Sequence, residues 1–287
     1  MLISILILFC NKSNVTRRCL PSLLETTHRP LQFVLVDNGS TDDTPELLDA
    51  FESDCTRDGE ATVRRLRFDE NVGAVAGRNA AFGELEGDAV AFLDNDVRVR
   101  RRDWLTRMIA VLDADPGVGL VAGKLRYPFA PHLIQSAGCD ISPTGRVDFR
   151  GRGLPGDAPE FNSPCDVQAA ISACWLVRRA VIRAVGDLDM RFHPVQFEDI
   201  DYCYRIRQAG WRCRYEPLAE MYHFENTTTE GEVAPKRYIR LTLEQGKKFK
   251  DKWQTVFSKE NGKPDSEMVW RDVPREPLDA IPDPPML

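Results

Sequence analysis

One short apolar run that ends in three polar residues constrains the fold of this chain most strongly. It reads Val-Ala-Phe-Leu-Asp-Asn-Asp-Val at residues 90–97. Its first four residues are apolar without alternation, which is typical of a strand that is buried on both faces of a sheet. Helical stretches alternate with four further apolar runs, at residues 2–10, 33–36, 63–68 and 118–123. This order predicts an α/β fold with a mostly parallel sheet and helices on both faces.

The polar end of that run is a candidate metal site. In open α/β sheets, ligands bind in the crevice beyond the carboxyl ends of the strands, where Asp94, Asn95 and Asp96 are expected to lie. Two carboxylates one residue apart can share a divalent cation, and hard oxygen ligands suit Mg²⁺ or Mn²⁺ bound together with substrate phosphates. The alternative is a simple turn, because Asp and Asn also favour turns.

The loops after the second and third predicted strands carry candidate groups for a nucleotide. Asp37 could accept hydrogen bonds from the N–H edge of a base or from a ribose hydroxyl, and an Asx turn is the alternative. After the third strand, Gly73 and Gly77 let the backbone approach a ligand, and Arg78 supplies a cation in the first turn of a helix. Helix N-termini and arginines both suit a diphosphate.

Two further candidates lie in the last third of the chain. Glu198 and Asp199 precede an amphipathic helix predicted at residues 202–208, and a carboxylate there could accept a proton. A strand is predicted at residues 212–217, and the loop after it carries His223. A single loop histidine is more often structural, so we weigh that role against metal ligation.

Four other segments have distinctive compositions. Residues 126–165 are rich in Pro and Gly, and we expect an irregular excursion that forms part of a wall facing an acceptor. The basic run at residues 98–102 is interpreted as a solvated approach to a helix, with contact to an anionic membrane as the alternative. Residues 236–253 are amphipathic, and the tail from Asn261 is expected to be extended or partly disordered.

Composition excludes several classes of protein. The 287 residues are 43% hydrophobic and 29% charged, as in ordinary globular proteins, and the net charge of −6 argues against nucleic acid as a partner. The apolar first ten residues lack the basic start and the cleavage site of a signal peptide, so a first strand is predicted. The eight cysteines form no Cys-x-x-Cys pair, which argues against structural zinc and favours a reducing, cytoplasmic compartment.

Four stretches together resemble one family. They lie at residues 36–42, 71–79, 93–96 and 197–211 and read Val-Asp-Asn-Gly-Ser-Thr-Asp, Asn-Val-Gly-Ala-Val-Ala-Gly-Arg-Asn, Leu-Asp-Asn-Asp and Phe-Glu-Asp-Ile-Asp-Tyr-Cys-Tyr-Arg-Ile-Arg-Gln-Ala-Gly-Trp. In this order they resemble the family-two inverting glycosyltransferases of the GT-A fold, most of all rhamnosyltransferase-like bacterial members. The resemblance runs from Ile3 to Trp253. It implies a Rossmann-like GT-A sheet followed by a C-terminal helical or extended tail.

The resemblance also implies roles for individual residues. Asp199 corresponds to the catalytic base, and Glu198 beside it orients or caps. Asp94 and Asp96 would bind Mg²⁺ or Mn²⁺, with His223 completing the metal site. The residues expected to bind the nucleotide sugar are Asn11, Asp37, Asn38, Asn71, Gly73, Arg78, Asp94, Asn95 and Trp175. For Trp175, a place in the hydrophobic core is the alternative.

The resulting hypothesis is a metal-dependent, inverting glycosyltransferase. Its donor would be a UDP- or dTDP-sugar in preference to a GDP-sugar. Its acceptor would be a carbohydrate, a lipid-linked sugar or a small molecule, in the assembly of polysaccharide, glycolipid or a glycosylated natural product. The alternatives are a sugar-phosphate nucleotidyltransferase and a non-catalytic protein that binds nucleotide sugars.

The chain is predicted to form one glycosyltransferase domain at residues 1–253. Within it, residues 1–123 would bind the nucleotide sugar and residues 124–253 would carry the acceptor-binding and catalytic groups. Residues 254–287 would form the tail. The expected location is the cytoplasm, with peripheral contact at the inner face of the membrane left open.

Overall fold

The computed structural model describes residues 1–57, 59–225 and 235–287. The strands are β1 (Ile3–Phe9), β2 (Leu31–Asn38), β3 (Ala61–Phe68), β4 (Ala89–Asp94), β5 (Val97–Val99), β6 (Val118–Arg126), β7 (Ile134–Ser136), β8 (Cys139–Ile141), β9 (Val147–Phe149), β10 (Cys165–Val167), β11 (Cys174–Arg178) and β12 (Arg212–His223). The helices are α1 (Ser13–Leu24), α2 (Thr44–Thr56), α3 (Ala74–Ala80), α4 (Trp104–Ala114), α5 (Arg179–Val185), α6 (Glu198–Gln208) and α7 (Pro235–Phe257). In these described ranges, no helix is both long enough and apolar enough to span a bilayer.

A ten-stranded sheet organises the molecule. Its main path is β3-β2-β1-β4-β11-β6-β12-β10, with β5 pairing to β12 and β7 to β6. The strands β1 to β4 are parallel to one another, and β6 is parallel to β12. β11 is antiparallel to both β4 and β6 and joins the two parallel sets. The predicted α/β class with a mostly parallel sheet is confirmed, and the antiparallel β11 is an addition to it.

The packing around β4 explains why its sequence does not alternate. Val90 and Phe92 belong to the apolar cluster on one face of the sheet, and Ala91 and Leu93 to the cluster on the other. All four residues are at most 1% exposed. Burying a side chain of the size of Leu93 contributes about 1.5–3 kcal/mol, so this strand fixes both layers of helices against the sheet.

The sheet brings the candidate metal ligands to one edge. Asp94 ends β4, and Asp96 lies in the turn between β4 and β5. β5 pairs antiparallel with the end of β12 in a register that places Val97 opposite His223. In addition, the backbone N–H of Phe224 donates to the carbonyl of Asp96 at 3.0 Å. The antiparallel pairing of β5 with β12 thus places His223 beside Asp96.

The prediction of a loop at His223 is wrong, because β12 continues to that residue. Pro217 lies inside the strand, and the pairing with β6 shifts register between Glu216 and Glu220. Proline has no N–H to donate to a neighbouring strand, so the sequence predicts that the strand ends at this residue. The structure accommodates the proline in an irregular part of the strand and then resumes pairing.

The basic run at residues 98–102 is solvated only in part, since Arg102 is 57% exposed but two other arginines are not. The side chains of Arg98 and Arg100 are only 17% and 13% exposed. Arg98 donates to the carbonyl of Arg18 at 2.7 Å, and Arg100 pairs with Glu220 at 2.7 Å. Both partners are distant in sequence, so the local charge pattern gives no sign of them.

The predicted boundaries after residues 123 and 253 fall inside β6 and inside α7. The segment after α7 is extended, as expected, and it returns along the domain. Ile281 packs with Val15 and Phe224. The N–H of Leu287 donates to the carbonyl of Arg100 at 2.6 Å. The tail therefore packs against the rest of the domain and adds buried contacts to it.

Candidate active site

A cavity of about 640 Å³ lies at the carboxyl ends of β1, β2 and β4. The start of α6, the end of β12 and one side of α7 complete its walls. Most of the residues predicted from the sequence line it: Asn38, Asn71, Gly73, Arg78, Asp94, Asn95, Asp96, Glu198, Asp199 and His223. Residues from both predicted halves of the chain therefore meet in one concave site.

Asp94, Asp96 and His223 form a cluster with the donor atoms of a metal site. One ligand atom from each residue can be chosen so that all three lie within 4.8 Å of one another. His223 Nε2 lies 3.1 Å from Asp96 Oδ1 and 3.7 Å from Asp94 Oδ2. Two carboxylates and one imidazole fit a divalent cation such as Mn²⁺, and the partial exposure of Asp94 leaves the site open towards the cavity.

The orientation of His223 is set from behind by Gln135, a residue of β7. Gln135 Oε1 lies 2.6 Å from His223 Nδ1. An amide oxygen can only accept, so Nδ1 carries a hydrogen and Nε2 faces the two carboxylates. Burial by itself would lower the pKa of His223, but Asp96 and Asp94 outweigh it and raise the pKa to about 9. Metal binding at Nε2 must therefore displace a proton, and metal affinity should fall as the pH is lowered.

Sequence reasoning missed Gln135, because nothing local links it to a histidine 88 residues away. We expect Gln135→Met to weaken Mn²⁺ binding by about 10–100-fold, as is usual when a group that orients a metal ligand is lost. Titration calorimetry with Mn²⁺ would measure it. Gln168→Met is the matched control, since Gln168 contacts Ile141 and Glu260. Equal Mn²⁺ affinity in both variants would contradict this role.

Arg78 connects the metal cluster to the carboxylates of α6. It is 6% exposed and forms an ion pair with Asp94. Its Nη1 donates to Ser172 Oγ at 2.7 Å and lies 3.9 Å from Glu198 Oε1. The prediction of a cation in the first turn of a helix is wrong, because Arg78 lies in the last turn of α3. Arg78 is therefore a buried cation that lies between Asp94 of the metal cluster and Glu198 of α6.

Glu198 and Asp199 enter the cavity from a sharp turn before α6. Gln196 and Phe197 both have positive φ, 86° and 67°, which is uncommon for residues other than glycine. This turn directs the first carboxylates of α6 into the cavity. Asp199 Oδ1 accepts from the N–H of Ile200 at 2.8 Å, and Asp199 Oδ2 accepts from the N–H of Ser172 at 3.4 Å. Ser172 is the second functional contact that the sequence did not indicate.

Burial raises the pKa values of the two neighbouring carboxyl groups by different amounts. Burial raises the pKa of Glu198 to about 8, and the adjacent charge of Asp199 adds to the effect. Burial also raises the pKa of Asp199, to about 6, against the opposing hydrogen bond from Ile200. Environments that separate the pKa values of paired carboxyl groups assign them different chemical roles. Burial raises the pKa of Glu198 further than that of Asp199, so Asp199 is the stronger acid of the pair.

Residues 4–186 match the family profile described as "Glycosyl transferase family 2". The chain belongs to this family. Among relatives, "Uncharacterized protein y4gI" of Sinorhizobium fredii is 34% identical over 261 residues, which are 88% of this chain and 28% of that protein. "Pre-mycofactocin glycosyltransferase" of Mycobacterium tuberculosis is 30% identical over 219 residues, 75% of this chain and 42% of the relative. The chain therefore spans less than half of the length of these two relatives.

Another relative has a more similar length. "N-acetylglucosaminyl-diphospho-decaprenol L-rhamnosyltransferase" of Mycobacterium tuberculosis is 32% identical over 238 residues, 74% of this chain and 72% of that protein. Among solved structures, GalNAc-T7 with UDP, GalNAc and Mn²⁺ matches with TM-score 0.66 at 17% identity, over 84% of this chain and 48% of that one. The mannosyltransferase PcManGT from Pyrobaculum calidifontis with GDP-Man and Mn²⁺ matches with TM-score 0.57 at 17% identity, over 85% and 68%. These likenesses confirm the predicted GT-A fold.

Two asparagines fix the loop between β3 and α3, which lines part of the cavity of this family-2 chain. Asn38 Nδ2 donates to Asn71 Oδ1 at 2.9 Å, and Asn38 Oδ1 accepts from the N–H of Val72 at 2.9 Å. Gly73 has φ 82°, and a Cβ there would lie 2.8 Å from Pro194 Cβ. Glycine is required at position 73 because the segment before α6 packs closely against its backbone. The sequence had instead predicted that a ligand would approach the backbone there.

Three predicted nucleotide-sugar residues do not line the cavity of this family-2 chain. Asn11 Oδ1 accepts from the N–H of Thr41 at 2.8 Å, and Asp37 Oδ1 accepts from the N–H of Ser40 at 2.9 Å. Asp37 thus forms the turn that was its alternative, and its contact with a base stays a prediction. Trp175 is 0% exposed in β11, so it does not face the cavity and its alternative, a place in the hydrophobic core, holds.

Proposed function

We propose that this chain is a metal-dependent, inverting glycosyltransferase that moves a sugar from a nucleoside diphosphate to an acceptor hydroxyl. The observation that carries the proposal is the shared cavity. The metal-ligand cluster of Asp94, Asp96 and His223 and the ionised carboxylate of Asp199 line the same 640 Å³ space. Membership of glycosyl transferase family 2 supports the reaction class.

Asp94, Asp96 and His223 would hold Mg²⁺ or Mn²⁺, which supplies positive charge to the departing diphosphate when bound. Asp199 would accept the proton of the acceptor hydroxyl. The hydroxyl oxygen forms its bond to the anomeric carbon as the bond from that carbon to the diphosphate oxygen breaks. Attack from the face opposite the leaving group inverts the configuration. The backbone N–H groups of Ile200 and Ser172 orient the Asp199 carboxylate for this transfer.

Glu198 would support the reaction without acting as the base. Its raised pKa keeps it protonated near pH 7, and its Oε1 lies 3.9 Å from Arg78 Nη1. A neutral carboxyl group beside Asp199 avoids two adjacent negative charges in a buried place. It therefore preserves Asp199 as the single ionised acid of the pair.

The donor and acceptor follow from the chemistry and from the relatives. We favour a UDP- or dTDP-sugar, because the carboxyl group of Asp37 would suit the N–H edge of a pyrimidine. The name of one relative describes transfer of rhamnose to a diphospho-decaprenol sugar, which supports a saccharide acceptor, free or lipid-linked. A cytoplasmic location, with peripheral contact to the membrane for a lipid-linked acceptor, belongs to the same proposal.

We expect the reaction to slow as the pH falls through the raised pKa of Asp199, about 6. The base is active when deprotonated, so activity is retained above this pKa and falls about tenfold per unit below it. Initial rates at saturating Mn²⁺ between roughly pH 5 and 9 would test this. Asp199→Asn should lack the acidic limb in its residual activity. A rate that rises on acidification would contradict the assignment.

The direct test is a thermal-shift panel of UDP, dTDP, GDP and CDP, each with and without Mn²⁺ or Mg²⁺. A ligand that binds the native state raises its melting temperature by mass action. We expect a metal-dependent shift with UDP or dTDP, followed by release of that diphosphate from the matching sugar donor. Absence of any metal-dependent shift would overturn the proposal. Release of pyrophosphate from a nucleoside triphosphate and a sugar phosphate would favour a nucleotidyltransferase instead.

A further inference from the structure

The segment after α7 supplies one wall of the cavity. Met268 is buried, and its carbonyl accepts from Arg146 at 3.4 Å. The carbonyl of Arg271 accepts from Arg152 Nε at 3.1 Å. Trp270 lies between these two anchored residues and lines the same cavity as the catalytic carboxylates. A residue near the end of the chain is thus fixed in position at the site.

Trp270 is held against a stack of charged and aromatic groups. The guanidinium carbon of Arg152 lies 4.0 Å from the centroid of its ring, and the ring of Phe149 lies 5.3 Å away at 56°. Arg152 is itself fixed by hydrogen bonds of 2.9 and 3.4 Å to Glu225. The indole nevertheless remains half exposed, at 52%. A half-exposed tryptophan in a cavity wall is typical of a binding surface, because the part of the indole that Arg152 and Phe149 do not cover is open to a ligand.

The residues that line the cavity fall into two chemical groups. The metal ligands and Arg78 are charged. A second group, from later parts of the chain, is apolar or aromatic: Val147, Phe149, Phe197, Leu241 and Trp270. An apolar face rimmed by hydrogen-bonding groups is suited to a pyranose ring, because one face of such a ring presents C–H groups and its edge presents hydroxyls.

We propose that Trp270 is the platform of the acceptor subsite, on which a pyranose ring of a carbohydrate acceptor packs. This inference rests on the proposed function, because it presumes that Asp199 deprotonates a saccharide hydroxyl held in this cavity. Trp270 lies outside residues 4–186, the part that matches the family profile. The platform therefore lies in a part of the chain that the family profile does not cover.

The experiment follows the indole N–H signal of Trp270 by NMR in the full chain saturated with UDP and Mn²⁺. The signal is assigned by its absence from the spectrum of Trp270→Phe. Methyl glycosides of glucose, galactose, mannose and N-acetylglucosamine are then titrated one by one. We expect at least one of them to shift the signal. Titration calorimetry with the same glycoside then gives its dissociation constant for every variant, which should rise about tenfold in Trp270→Ala and stay within about threefold of wild type in Trp270→Phe.

Val269→Ala is the matched control, because Val269 is 58% exposed, adjacent in sequence and absent from the cavity wall. Its affinity for the glycoside should equal that of wild type. Equal affinity in Trp270→Ala, or no response to any glycoside while UDP and Mn²⁺ still bind, would overturn the platform. A response to hexanol alone would also overturn it and would assign the wall to an alkyl chain. Failure of UDP and Mn²⁺ to bind at all would instead refute the proposed function.

Discussion

Asp199→Asn should lower kcat by about 10²–10⁴-fold, the usual contribution of a general base, while UDP binding in the presence of Mn²⁺ stays close to that of wild type. The amide has nearly the same shape as the carboxyl group and can still accept the N–H of Ile200 through its oxygen. It cannot take a proton from the acceptor. Steady-state rates together with UDP titrations would separate the loss of chemistry from a loss of binding.

The comparison variants for this experiment are Asp166→Asn and Glu198→Gln. Asp166 forms ion pairs at the surface with Arg212 and Arg214, so its replacement should leave the rate unchanged. Glu198 is protonated near pH 7, and Gln mimics that neutral form, so Glu198→Gln should cost much less than Asp199→Asn. If Glu198→Gln were the more damaging variant, the assignment of the base to Asp199 would be wrong.

Asp96→Asn should abolish the metal-dependent part of UDP binding and lower activity by about 100-fold or more. Asp96 is 1% exposed and 3.1 Å from His223 Nε2, so an amide there removes a negative charge where water cannot replace it. The same change removes the main attraction that raises the pKa of His223. Calorimetric titration of Mn²⁺, followed by thermal shifts with UDP, would measure both effects.

Asp54→Asn is the control for the metal experiment. Asp54 pairs with Arg57 in an exposed turn of α2, far from the cavity, and its loss should alter neither Mn²⁺ nor UDP binding. Retention of a metal-dependent shift in Asp96→Asn would show that the cation is held elsewhere. The cluster of Asp94, Asp96 and His223 would then be structural.

The strands and the edge where the site forms could be predicted because both follow from local pattern. The apolar run before Asp94 is buried on both faces, and a polar triplet at its end must lie at the carboxyl edge of a parallel sheet. Glu198 and Asp199 were visible for the same reason, as two carboxyl groups before a helix predicted at residues 202–208, although α6 already begins at Glu198. Local sequence carried the information in each case.

The remaining contacts depend on segments that meet only in the folded chain. Gln135 reaches His223 because β7 pairs with β6, and Ser172 reaches Asp199 across 27 residues. Trp175 was ambiguous because an apolar run describes a core strand and a pocket wall equally well. Trp270 gave no signal, since it lies in a tail whose composition is typical of extended chain.

The antiparallel strand β11 has a consequence for how the molecule can be divided. It comes from the later half of the sequence, yet it occupies the hydrogen-bonding edge of β4 on one side and of β6 on the other. A fragment that stops at residue 123 would expose β4 as a long apolar edge open to pairing with other chains. The part that matches the family profile extends to residue 186 and includes this strand. Chimeras between relatives should therefore be joined after β11, because β4, β11 and β6 are then hydrogen-bonded to one another within the same parent sequence.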